Sequence, residues 1–476
     1  MSKDLISEIE ALFNPRSIAV IGVSDKRARL GNFLLHSFMD IGFDGKLYPM
    51  STDEETVMGL KSYSSLKDIE GPVDLLVVSV HPDKVPQVIE EAVEKGVKGA
   101  IIFSAGYREK GDEGRQREQE LVNLARKGNL RIIGPNCMGF YCPSTKLSFF
   151  PDLSREGGPV AFLSQSGSLS IIVAFAGKMR GVGFSKMVSI GNACDLDFND
   201  FLEYLGDDPQ TKVIACYLEG VDDGRRFLKL TREISKRKPI LVWKVGETEG
   251  GVRGVSSHTG ALAGSSEIWD AVIKQAGLIK VENLMELLGF VTAFQNPYLP
   301  KGNRVVVISG PGGPAVSAAD ACEKAGLKLA RLSKETEKKL AEIIPEFGTS
   351  ASNPVDLSLT SSFDVEMYPR ATEICGLDEN VDILVEVIPA MNREVIERLI
   401  EVQKKFRKPI AVITSLEFAT ARSSLSKFFG VINVEELTQI LMKMYQSGIS
   451  VHSSEQEAAR ALVALLNYKQ YLEKAD

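Results

Sequence analysis

The sequence predicts an α/β fold with parallel sheets, and two observations support this class. Short runs rich in β-branched residues alternate with segments of helical periodicity through almost the whole chain. The runs are apolar throughout, which is typical of strands that helices cover on both faces. Because parallel sheets keep their ligands at the carboxyl ends of the strands, we expect the functional loops to follow the strands.

Seven predicted strands precede residue 246. They lie at 17–23, 74–80, 99–105, 131–135, 159–165, 212–219 and 239–245. The chain of 476 residues is too long for one hydrophobic core, and we expect about three domains. Stretches rich in proline, glycine and polar residues at 142–159 and 296–303 interrupt the rhythm. We therefore predict domains at 1–145, 155–298 and 299–476.

The second and third predicted domains resemble one another in order and spacing. Residues 159–176 align with residues 304–321, each reading as a strand, a small-residue turn and a helix. Further on, Asn192-Ala193-Cys194-Asp195-Leu196 echoes Asn353-Pro354-Val355-Asp356-Leu357. The pattern indicates an internal repeat. After its last strand only the second domain continues into a histidine-bearing segment, SSHTGALAG.

Composition excludes several classes of protein. The net charge of -7 and the pI near 5.5 argue against a nucleic-acid binder, since phosphate backbones are held by clustered Lys and Arg. The six cysteines are scattered without the spacing of a zinc site or a redox dithiol, which favours a reducing compartment. The acidic, amphipathic amino terminus and the lack of a long apolar run predict a cytoplasmic protein without a membrane span.

The first candidate site is the turn after the first strand, in VIGVSDKRARLGNFLL (residues 20–35). Gly22 ends a strand and Gly31 lies where a helix resumes, so backbone N–H groups face a phosphate or pyrophosphate. Ser24 stands where the dinucleotide fingerprint needs its second glycine, which disfavours NAD. A plain βα turn and a CoA site, whose ligand carries an ADP moiety, stay open.

The second candidate is His258, flanked by Ser257, Thr259 and Gly260. The small residues predict a mobile polar loop that lets bulky anions approach, followed by a helix capped by Ser265. Metal ligation is disfavoured because no second His or Cys lies nearby at ligand spacing. A surface histidine without a function is the alternative to nucleophilic use of the neutral imidazole.

A phosphorylated imidazole needs hydrogen-bond donors and dipoles directed at it. Ser166, Gly167 and Ser168 open a helix directly after a strand, so their amides can supply that field, although they can also be a purely structural cap. Glu219 follows an apolar strand, where a carboxylate can accept from an imidazole N–H and present the other nitrogen as the nucleophile. An ordinary strand-end surface acid is the alternative for Glu219.

The third candidate is the turn GPNCMGF at residues 134–140. Asn136 lies at the end of the predicted first domain's last strand, where it could bind a polar group of a substrate. Cys137 has no neighbouring base in the sequence, so packing or substrate contact is favoured over a nucleophilic role.

At these residues the chain resembles the α subunit of archaeal-type ADP-forming acyl-CoA synthetases and, more distantly, the α subunit of succinyl-CoA synthetase. The resemblance covers nearly the whole chain. It is carried by NPRSIAVIGVS, GPNCMG, SQSGSLS and, most specifically, SSHTGALAG. ISGPGGPAVSAAD and NPVDLS resemble a third domain that succinyl-CoA synthetase α chains lack. The resemblance implies a Rossmann-like CoA-binding domain followed by two flavodoxin-like domains.

The resemblance also implies the chemistry. An acyl phosphate forms from acyl-CoA and phosphate, and its phosphoryl group passes to the loop histidine and then to ADP. His258 would carry the phosphoryl group, Glu219 would orient it, and Ser166, Gly167 and Ser168 would bind phosphate. The expected CoA contacts are Gly22, Ser24, Asp25 and Ser104. Asn136 would lie close to the acyl carbonyl, and no metal site is expected in this chain.

Two features qualify this expectation. Met50-Ser51-Thr52-Asp53 replaces a segment that is Val-Asn-Pro-Lys in the family, so a basic contact to CoA is missing. We also find no ATP-grasp unit, so a separate β subunit would bind Mg²⁺ and ADP or ATP in an α₂β₂ heterotetramer, with a small carboxylic acid or acyl-CoA as substrate.

The competing hypotheses are a catalytically inactive CoA or acyl-CoA sensor of the same fold and an NAD-dependent dehydrogenase. His258 with Glu219 argues against the sensor, and the glycine pattern argues against the dehydrogenase. The sequence leaves open the identity of the acid, the direction of the reaction and the choice between ADP and GDP.

Overall fold

The structure, a computed structural model, describes residues 3–26, 29–258, 264–388, 393–414 and 434–475. These residues form two compact units. Unit 1 contains the described residues up to Lys178 and from Gly183 to Lys280. Unit 2 contains Met179–Val182 and the described residues from Val281 onward. The predicted boundaries near residues 145–155 and 298–299 stay predictions.

The first sheet of unit 1 contains five parallel strands in the order β2-β1-β5-β6-β7. Its strands are β1 (Ser17–Ile21), β2 (Lys46–Met50), β5 (Leu75–Val78), β6 (Gly99–Ile102) and β7 (Arg131–Ile133). The strands β3 (Thr56–Val57) and β4 (Leu60–Lys61) form a separate short hairpin. The helices of this part are α1 (Lys3–Phe13), α2 (Leu30–Ile41), α3 (Val85–Lys95) and α4 (Asp112–Arg126). Apolar residues of β5 and β6 form a buried core with those of α3 and α4.

The second sheet of unit 1 has the order β13-β12-β11-β9-β10-β8. Its strands are β8 (Gly139–Tyr141), β9 (Val160–Ser164), β10 (Phe184–Ser189), β11 (Val213–Leu218), β12 (Ile240–Lys244) and β13 (Ile279–Val281). The helices here are α5 (Gly167–Met179), α6 (Phe198–Asp207), α7 (Gly224–Ile234), α8 (Glu249–His258) and α9 (Ser266–Ala276). The edge strand β8 pairs antiparallel with β10, which the sequence did not indicate.

The sheet of unit 2 has the order β15-β14-β17-β18-β19, and β16 also pairs with β14. The strands are β14 (Arg304–Ser309), β15 (Lys328–Leu329), β16 (Val355–Asp356), β17 (Ile383–Val387), β18 (Ile410–Ile413) and β19 (Ile449–His452). The helices are α10 (Leu284–Phe294), α11 (Gly312–Ala325), α12 (Lys334–Ala341), α13 (Met367–Gly376), α14 (Arg393–Gln403), α15 (Val434–Gln446) and α16 (Glu455–Ala475). The strand pairs within this sheet are parallel.

The structure confirms the predicted α/β fold with parallel sheets. All seven predicted apolar runs contain a strand. The repeat is confirmed by topology. With the strands of each copy numbered in chain order and β16 set aside, both sheets have the order 2-1-3-4-5, as β10-β9-β11-β12-β13 and as β15-β14-β17-β18-β19. No described helix has the length and apolar character that crossing a bilayer requires.

Candidate functional site

The turn after β1 is built from glycines that allow close backbone approach. Gly22 has φ +96°, and a Cβ atom there would lie 2.1 Å from the carbonyl oxygen of Ser79. A Cβ at Gly31 would lie 2.5 Å from the carbonyl oxygen of Gly22, so only glycine lets α2 begin this close to the strand end. Because β1 lies between β2 and β5, this turn is at the switch point where parallel sheets bind nucleotides.

Ser24 and Asp25 lie in this turn, and a carboxylate already binds their donors. Glu54 accepts hydrogen bonds from the Ser24 hydroxyl at 2.5 Å and from the Asp25 amide at 2.6 Å. The Ser24 hydroxyl and the Asp25 amide lower the pKa of Glu54, so it stays ionised at neutral pH. The Asp25 side chain accepts from the Met58 amide at 3.0 Å. Glu54 directly follows the unusual segment 50–53 and was not predicted from the sequence.

Ser104 and Asn136 lie beside each other at the carboxyl ends of β6 and β7. The Asn136 amide donates to the Ser104 carbonyl oxygen at 3.1 Å, and the Ser104 hydroxyl donates to the Val80 carbonyl oxygen at 2.5 Å. Asn136 has φ +57° and follows a cis peptide bond between Gly134 and Pro135, as a tight turn requires. The predicted turn is therefore present in the structure, and it places Asn136 beside Ser104.

Cys137, next to Asn136, is 3% exposed. Burial raises the pKa of its thiol to about 12, so the thiol is protonated at neutral pH. This agrees with the packing role favoured from the sequence.

Ser166, Gly167 and Ser168 form the turn between β9 and α5. The Ser164 hydroxyl accepts from the Ser166 amide at 3.0 Å and donates to the Ser166 carbonyl oxygen at 2.9 Å, which fixes the turn. Gly167 begins α5, and a Cβ atom there would lie 2.9 Å from the Met138 side chain. Ser168 is exposed. The first amides of α5 therefore border the 134–140 turn.

Gln165 links this turn to Glu219. The Gln165 side-chain oxygen accepts from the Glu219 amide at 2.6 Å and from the Gly220 amide at 3.2 Å, while its side-chain nitrogen donates to the Gly220 carbonyl oxygen at 2.9 Å. Glu219 is 1% exposed. The strand-end acid is therefore buried beside the start of α5, which corrects the interpretation of Glu219 as a surface acid. No local sequence pattern indicates Gln165, because its partners lie 54 and 55 residues away.

Lys244 contributes positive charge at the same strand ends. Its ammonium donates to the Glu219 carbonyl oxygen at 2.9 Å and to that of Val245, and it lies 5.1 Å from the centre of the Trp269 ring. Burial lowers the pKa of Lys244 to about 8, although Glu247 and Glu219 oppose this effect. The sequence analysis did not single out this lysine, because it reads as the last residue of an apolar strand.

The segment before His258 is helical, whereas the sequence predicted a loop there. Helix α8 runs to His258, and its first turn is stabilised by Thr248, whose side chain accepts from the Gly251 amide at 3.1 Å and whose carbonyl accepts from the Val252 amide at 2.8 Å. Packing of α8 against residues 108–110 outweighs the cost of its three glycines. The imidazole of His258 and residues 259–263 lie outside the described residues.

The helix that follows this segment begins as predicted. Ser265 caps α9, and its hydroxyl accepts from the Ile268 amide at 3.3 Å. Among the described residues, no group of His, Cys, Asp and Glu is arranged to hold a metal ion.

Within unit 1 the structure thus brings together most of the predicted site residues. Ser104 contacts Asn136, the Asn136 turn borders Gly167, and Gln165 joins the Gly167 turn to Glu219. Ser24 and Asp25 lie on the turn after β1, where Glu54 binds their donors.

Unit 2 contains a second copy of the β9–α5 turn, but no glutamate there corresponds to Glu219 in the sequence. The Ser309 hydroxyl donates to the Pro311 carbonyl oxygen at 2.8 Å, as Ser164 does to Ser166. Tyr217 pairs with Ser164 and Val387 pairs with Ser309 in the two sheets. Glu219 lies two residues after Tyr217, and Pro389 lies two residues after Val387. Glu219 therefore corresponds to Pro389, which lies outside the described residues.

Comparison with known proteins agrees with this arrangement. Residues 16–143 match the profile of a CoA-binding domain, residues 157–294 that of a succinyl-CoA ligase-like flavodoxin domain, and residues 305–385 that of a ligase-CoA domain. The α subunit of ADP-forming acetate–CoA ligase II from Pyrococcus furiosus is 42% identical over 80% of this chain and 82% of that subunit.

Two further relatives are similar over almost the whole chain. ADP-forming acetate–CoA ligase I from Archaeoglobus fulgidus is 36% identical over 97% of this chain, which spans 64% of the length of that enzyme. The solved structure of dinucleotide-forming acetyl-CoA synthetase 1 from Candidatus Korarchaeum cryptofilum, in complex with phosphate and ADP, has a TM-score of 0.82 at 30% identity and covers 98% of both chains.

Fold and site together define a CoA-ligase subunit of the succinyl-CoA synthetase type. More specifically, the chain belongs to the family of α subunits of ADP-forming acyl-CoA synthetases.

Proposed function

We propose that this chain interconverts acyl-CoA, phosphate and ADP with a carboxylic acid, CoA and ATP, together with a nucleotide-binding partner. A phosphate oxygen attacks the thioester carbonyl, the C–S bond breaks, and CoA leaves as the thiol. An imidazole nitrogen of His258 then attacks phosphorus of the acyl phosphate, the P–O bond breaks, and the carboxylate leaves. ADP takes the phosphoryl group from His258 in the last step.

The observation that carries this proposal is the placement of Glu219. Gln165 holds Glu219 beside the start of α5, and the same copy of the repeat continues through β12 and α8 to His258. The carboxylate of Glu219 would accept from one imidazole nitrogen and leave the other free to attack. The amides of Ser166, Gly167 and Ser168 would stabilise the phosphoryl charge. The other copy has proline in place of this glutamate, so chemistry is assigned to unit 1.

CoA would bind along the carboxyl edge of the first sheet. Gly22 and Gly31 let the start of α2 pack closely against the end of β1. There the backbone amides and the helix dipole would favour the negative charge of a diphosphate. Ser24, Asp25 and Ser104 would border the ligand. Asn136 would contact the acyl carbonyl, since its turn lies between Ser104 and Gly167.

The partner would be a β subunit with an ATP-grasp domain that binds Mg²⁺ and ADP or ATP. The relative from Archaeoglobus fulgidus is longer than this chain, and the relative from Pyrococcus furiosus is named as one subunit of a ligase, which supports a second component. We propose an α₂β₂ heterotetramer in the cytoplasm, with a small carboxylic acid as substrate.

The test is transfer of label from γ-labelled ATP to this chain. The tagged chain, purified with its partner and supplied with Mg²⁺, should acquire an acid-labile, base-stable label that ADP discharges. His258→Asn should abolish the label, because no other residue is proposed to carry the phosphoryl group. His36→Asn, at an exposed position on α2, should leave it unchanged. A folded complex whose unmodified chain takes no label would refute the proposed relay.

A further inference from the structure

Asn192, in the repeated Asn-X-X-Asp-Leu motif, occupies a central position in unit 1 that the proposed chemistry does not use. It follows β10 and is 2% exposed. Its side-chain nitrogen donates to Glu109 Oε2 at 2.7 Å and to Glu118 Oε1 at 2.8 Å. Its backbone amide donates to the Pro135 carbonyl oxygen at 2.9 Å. One residue of the second sheet's turn therefore binds two separate turns at the carboxyl edge of the first sheet.

The first of these turns is held through Glu109. Glu109 Oε1 accepts from the Gly106 amide at 2.5 Å and from the Tyr107 amide at 3.1 Å. Burial alone would raise the pKa of Glu109, but the hydrogen bonds from Gly106 and Asn192 outweigh it and lower the pKa, so the carboxylate is ionised. Gly106 lies two residues after Ser104, the predicted CoA contact. The position of Ser104 thus depends on Glu109.

The second turn carries Asn136. A Cβ atom at Gly191 would lie 2.3 Å from the carbonyl oxygens of Pro135 and Asn136, so the turn after β10 packs directly against the Asn136 turn. Since the Asn136 amide donates to the Ser104 carbonyl oxygen, the contacts form a closed ring. The ring runs from the Asn192 side chain through Glu109 and Ser104 to Asn136, and returns through Pro135 to the Asn192 backbone.

Glu118 joins the ring from α4. Its Oε1 accepts from the Arg108 amide at 3.1 Å as well as from Asn192, and its Oε2 accepts from Arg108 Nε at 3.1 Å. The two carboxylates around Asn192 are therefore balanced by amide donors and one guanidinium. An amide side chain, with two hydrogens on one nitrogen, is the group that can serve both carboxylates at once.

We propose that Asn192 is the positioning residue for the thioester half of the reaction. By closing the ring it sets Ser104 and Asn136, and hence the acyl end of CoA, against the first amides of α5, where phosphate would attack. Its link to the step between His258 and ADP is indirect, through the packing of residues 108–110 against α8. This inference rests on the proposed function.

The test compares the two half-reactions in the complete complex of this chain with its nucleotide-binding partner. Arsenate-dependent release of free thiol from acetyl-CoA reports the thioester step, because the acyl arsenate hydrolyses without His258. Exchange of label between ADP and ATP, without CoA, reports the histidine step. Asn192→Asp keeps the size of the side chain but brings a third carboxylate against Glu109 and Glu118.

Thiol release by Asn192→Asp should fall by about tenfold to 100-fold in kcat, as a misplaced reacting group does, while ADP–ATP exchange stays within about twofold. Glu109→Gln should act in the same direction, because its amide nitrogen then faces that of Asn192. The double variant Asn192→Asp with Glu109→Gln restores one donor–acceptor pair with reversed polarity, and should recover part of the thiol release.

The control is Asp195→Asn, three residues along the same segment. The Asp195 carboxylate pairs with Arg131 at 2.8 Å at the amino end of β7. Asp195→Asn therefore loosens the same segment, but away from the carboxyl ends of the strands. It should affect both half-reactions equally or neither. Equal loss of both half-reactions in Asn192→Asp would reduce Asn192 to a structural role, and unchanged thiol release would overturn the proposal. An unmodified complex that releases no thiol from acetyl-CoA or from branched, aryl and dicarboxylic acyl-CoA thioesters would instead refute the proposed function.

Discussion

Glu54 shows how one side chain can set the affinity of a turn for anions. Its carboxylate binds the donors of Ser24 and Asp25 that a CoA phosphate would approach. Asp53 stands where the resemblance led us to expect a lysine. Beside Lys26, the turn therefore places carboxylates where the resemblance led us to expect a basic contact to CoA.

We expect Glu54→Gln to strengthen CoA binding. Glutamine keeps an oxygen that can accept from the Asp25 amide but removes the charge. A partly exposed charge of this kind changes affinity by about twofold to fivefold. Isothermal titration with CoA at low and moderate salt measures the change, which should shrink as salt increases. Glu55→Gln, at the neighbouring exposed position, is the control. Weaker CoA binding by Glu54→Gln would mean that the carboxylate mainly organises the turn.

At this scale the sequence predicts residue types better than their partners. The glycines at 22 and 167 and the strand-end acid Glu219 follow from local patterns of strand, turn and helix. The hydrogen bonds of Gln165 to Glu219 and of Asn192 to Glu109 join residues that are far apart in sequence, and no local rule anticipates them.

The helices on either side of residues 259–263 differ in how well the sequence predicts them. Helix α9 has a serine cap and an apolar face, so its start at Ser266 is predictable. Helix α8 contains glycines that disfavour a helix, and it forms where it packs against residues 108–110. Local propensity therefore predicted a loop where a tertiary contact stabilises a helix.

We expect Ser265→Ala to loosen the first turn of α9. Loss of the cap leaves the Ile268 amide without its acceptor and costs about 1 kcal/mol, or roughly fivefold in local opening. Hydrogen exchange at residues 267–270 should accelerate by that factor. Ser265→Asp keeps an acceptor at the cap and should restore the exchange rate of the original protein, whereas equally fast exchange in both variants would contradict a capping role.

At the scale of the whole molecule, two sheets share one strand order but differ in the residues that follow their strands. The copy in unit 1 keeps the glutamate and the histidine segment, and the copy in unit 2 has Pro389 at the corresponding position. The repeat was visible in the sequence because the turn residues are preserved in order. The antiparallel pairing of β8 was not, because a run of three residues has no distinctive period.

Unit 2 also contains a buried acid, Glu386, which should make its stability depend on pH. Thr372 Oγ1 lies 2.8 Å from Glu386 Oε1 and 2.7 Å from the Tyr368 carbonyl oxygen. One hydroxyl hydrogen cannot serve both acceptors, so a protonated Glu386 Oε1 that donates to Thr372 Oγ1 resolves this contact. Glu386 Oε2 is buried without a hydrogen-bond partner among the described residues, which also favours the neutral acid. Burial accordingly raises the pKa of Glu386 to about 8.

Between the ordinary carboxyl pKa of 4.5 and the raised pKa of about 8, the unfolded chain releases this proton and the folded chain keeps it. The contribution of Glu386 to the free energy of unfolding therefore falls as pH rises through this window, by about 1.4 kcal/mol per pH unit. Glu386→Gln lacks this dependence, so its advantage over the original protein should grow from pH 5 to pH 8.

Urea denaturation followed by circular dichroism at the two pH values measures this difference. The fluorescence of Trp243 and Trp269, both in unit 1, reports separately on that unit. Glu373→Gln, on the same helix as Thr372 but partly exposed, should show no growing advantage. An advantage of Glu386→Gln that is constant with pH would mean that Glu386 is not protonated in the folded state.

The strand β8 has a practical consequence for dissecting this protein. Residues 139–141 lie within the stretch that matches a CoA-binding domain, yet they complete the second sheet at the edge of β10. A fragment cut after residue 143 would carry away a strand that belongs to its neighbour. The remaining fragment would expose the backbone donors and acceptors of β10, an open edge that invites pairing with other chains and aggregation. Cutting before Gly139 leaves that edge covered.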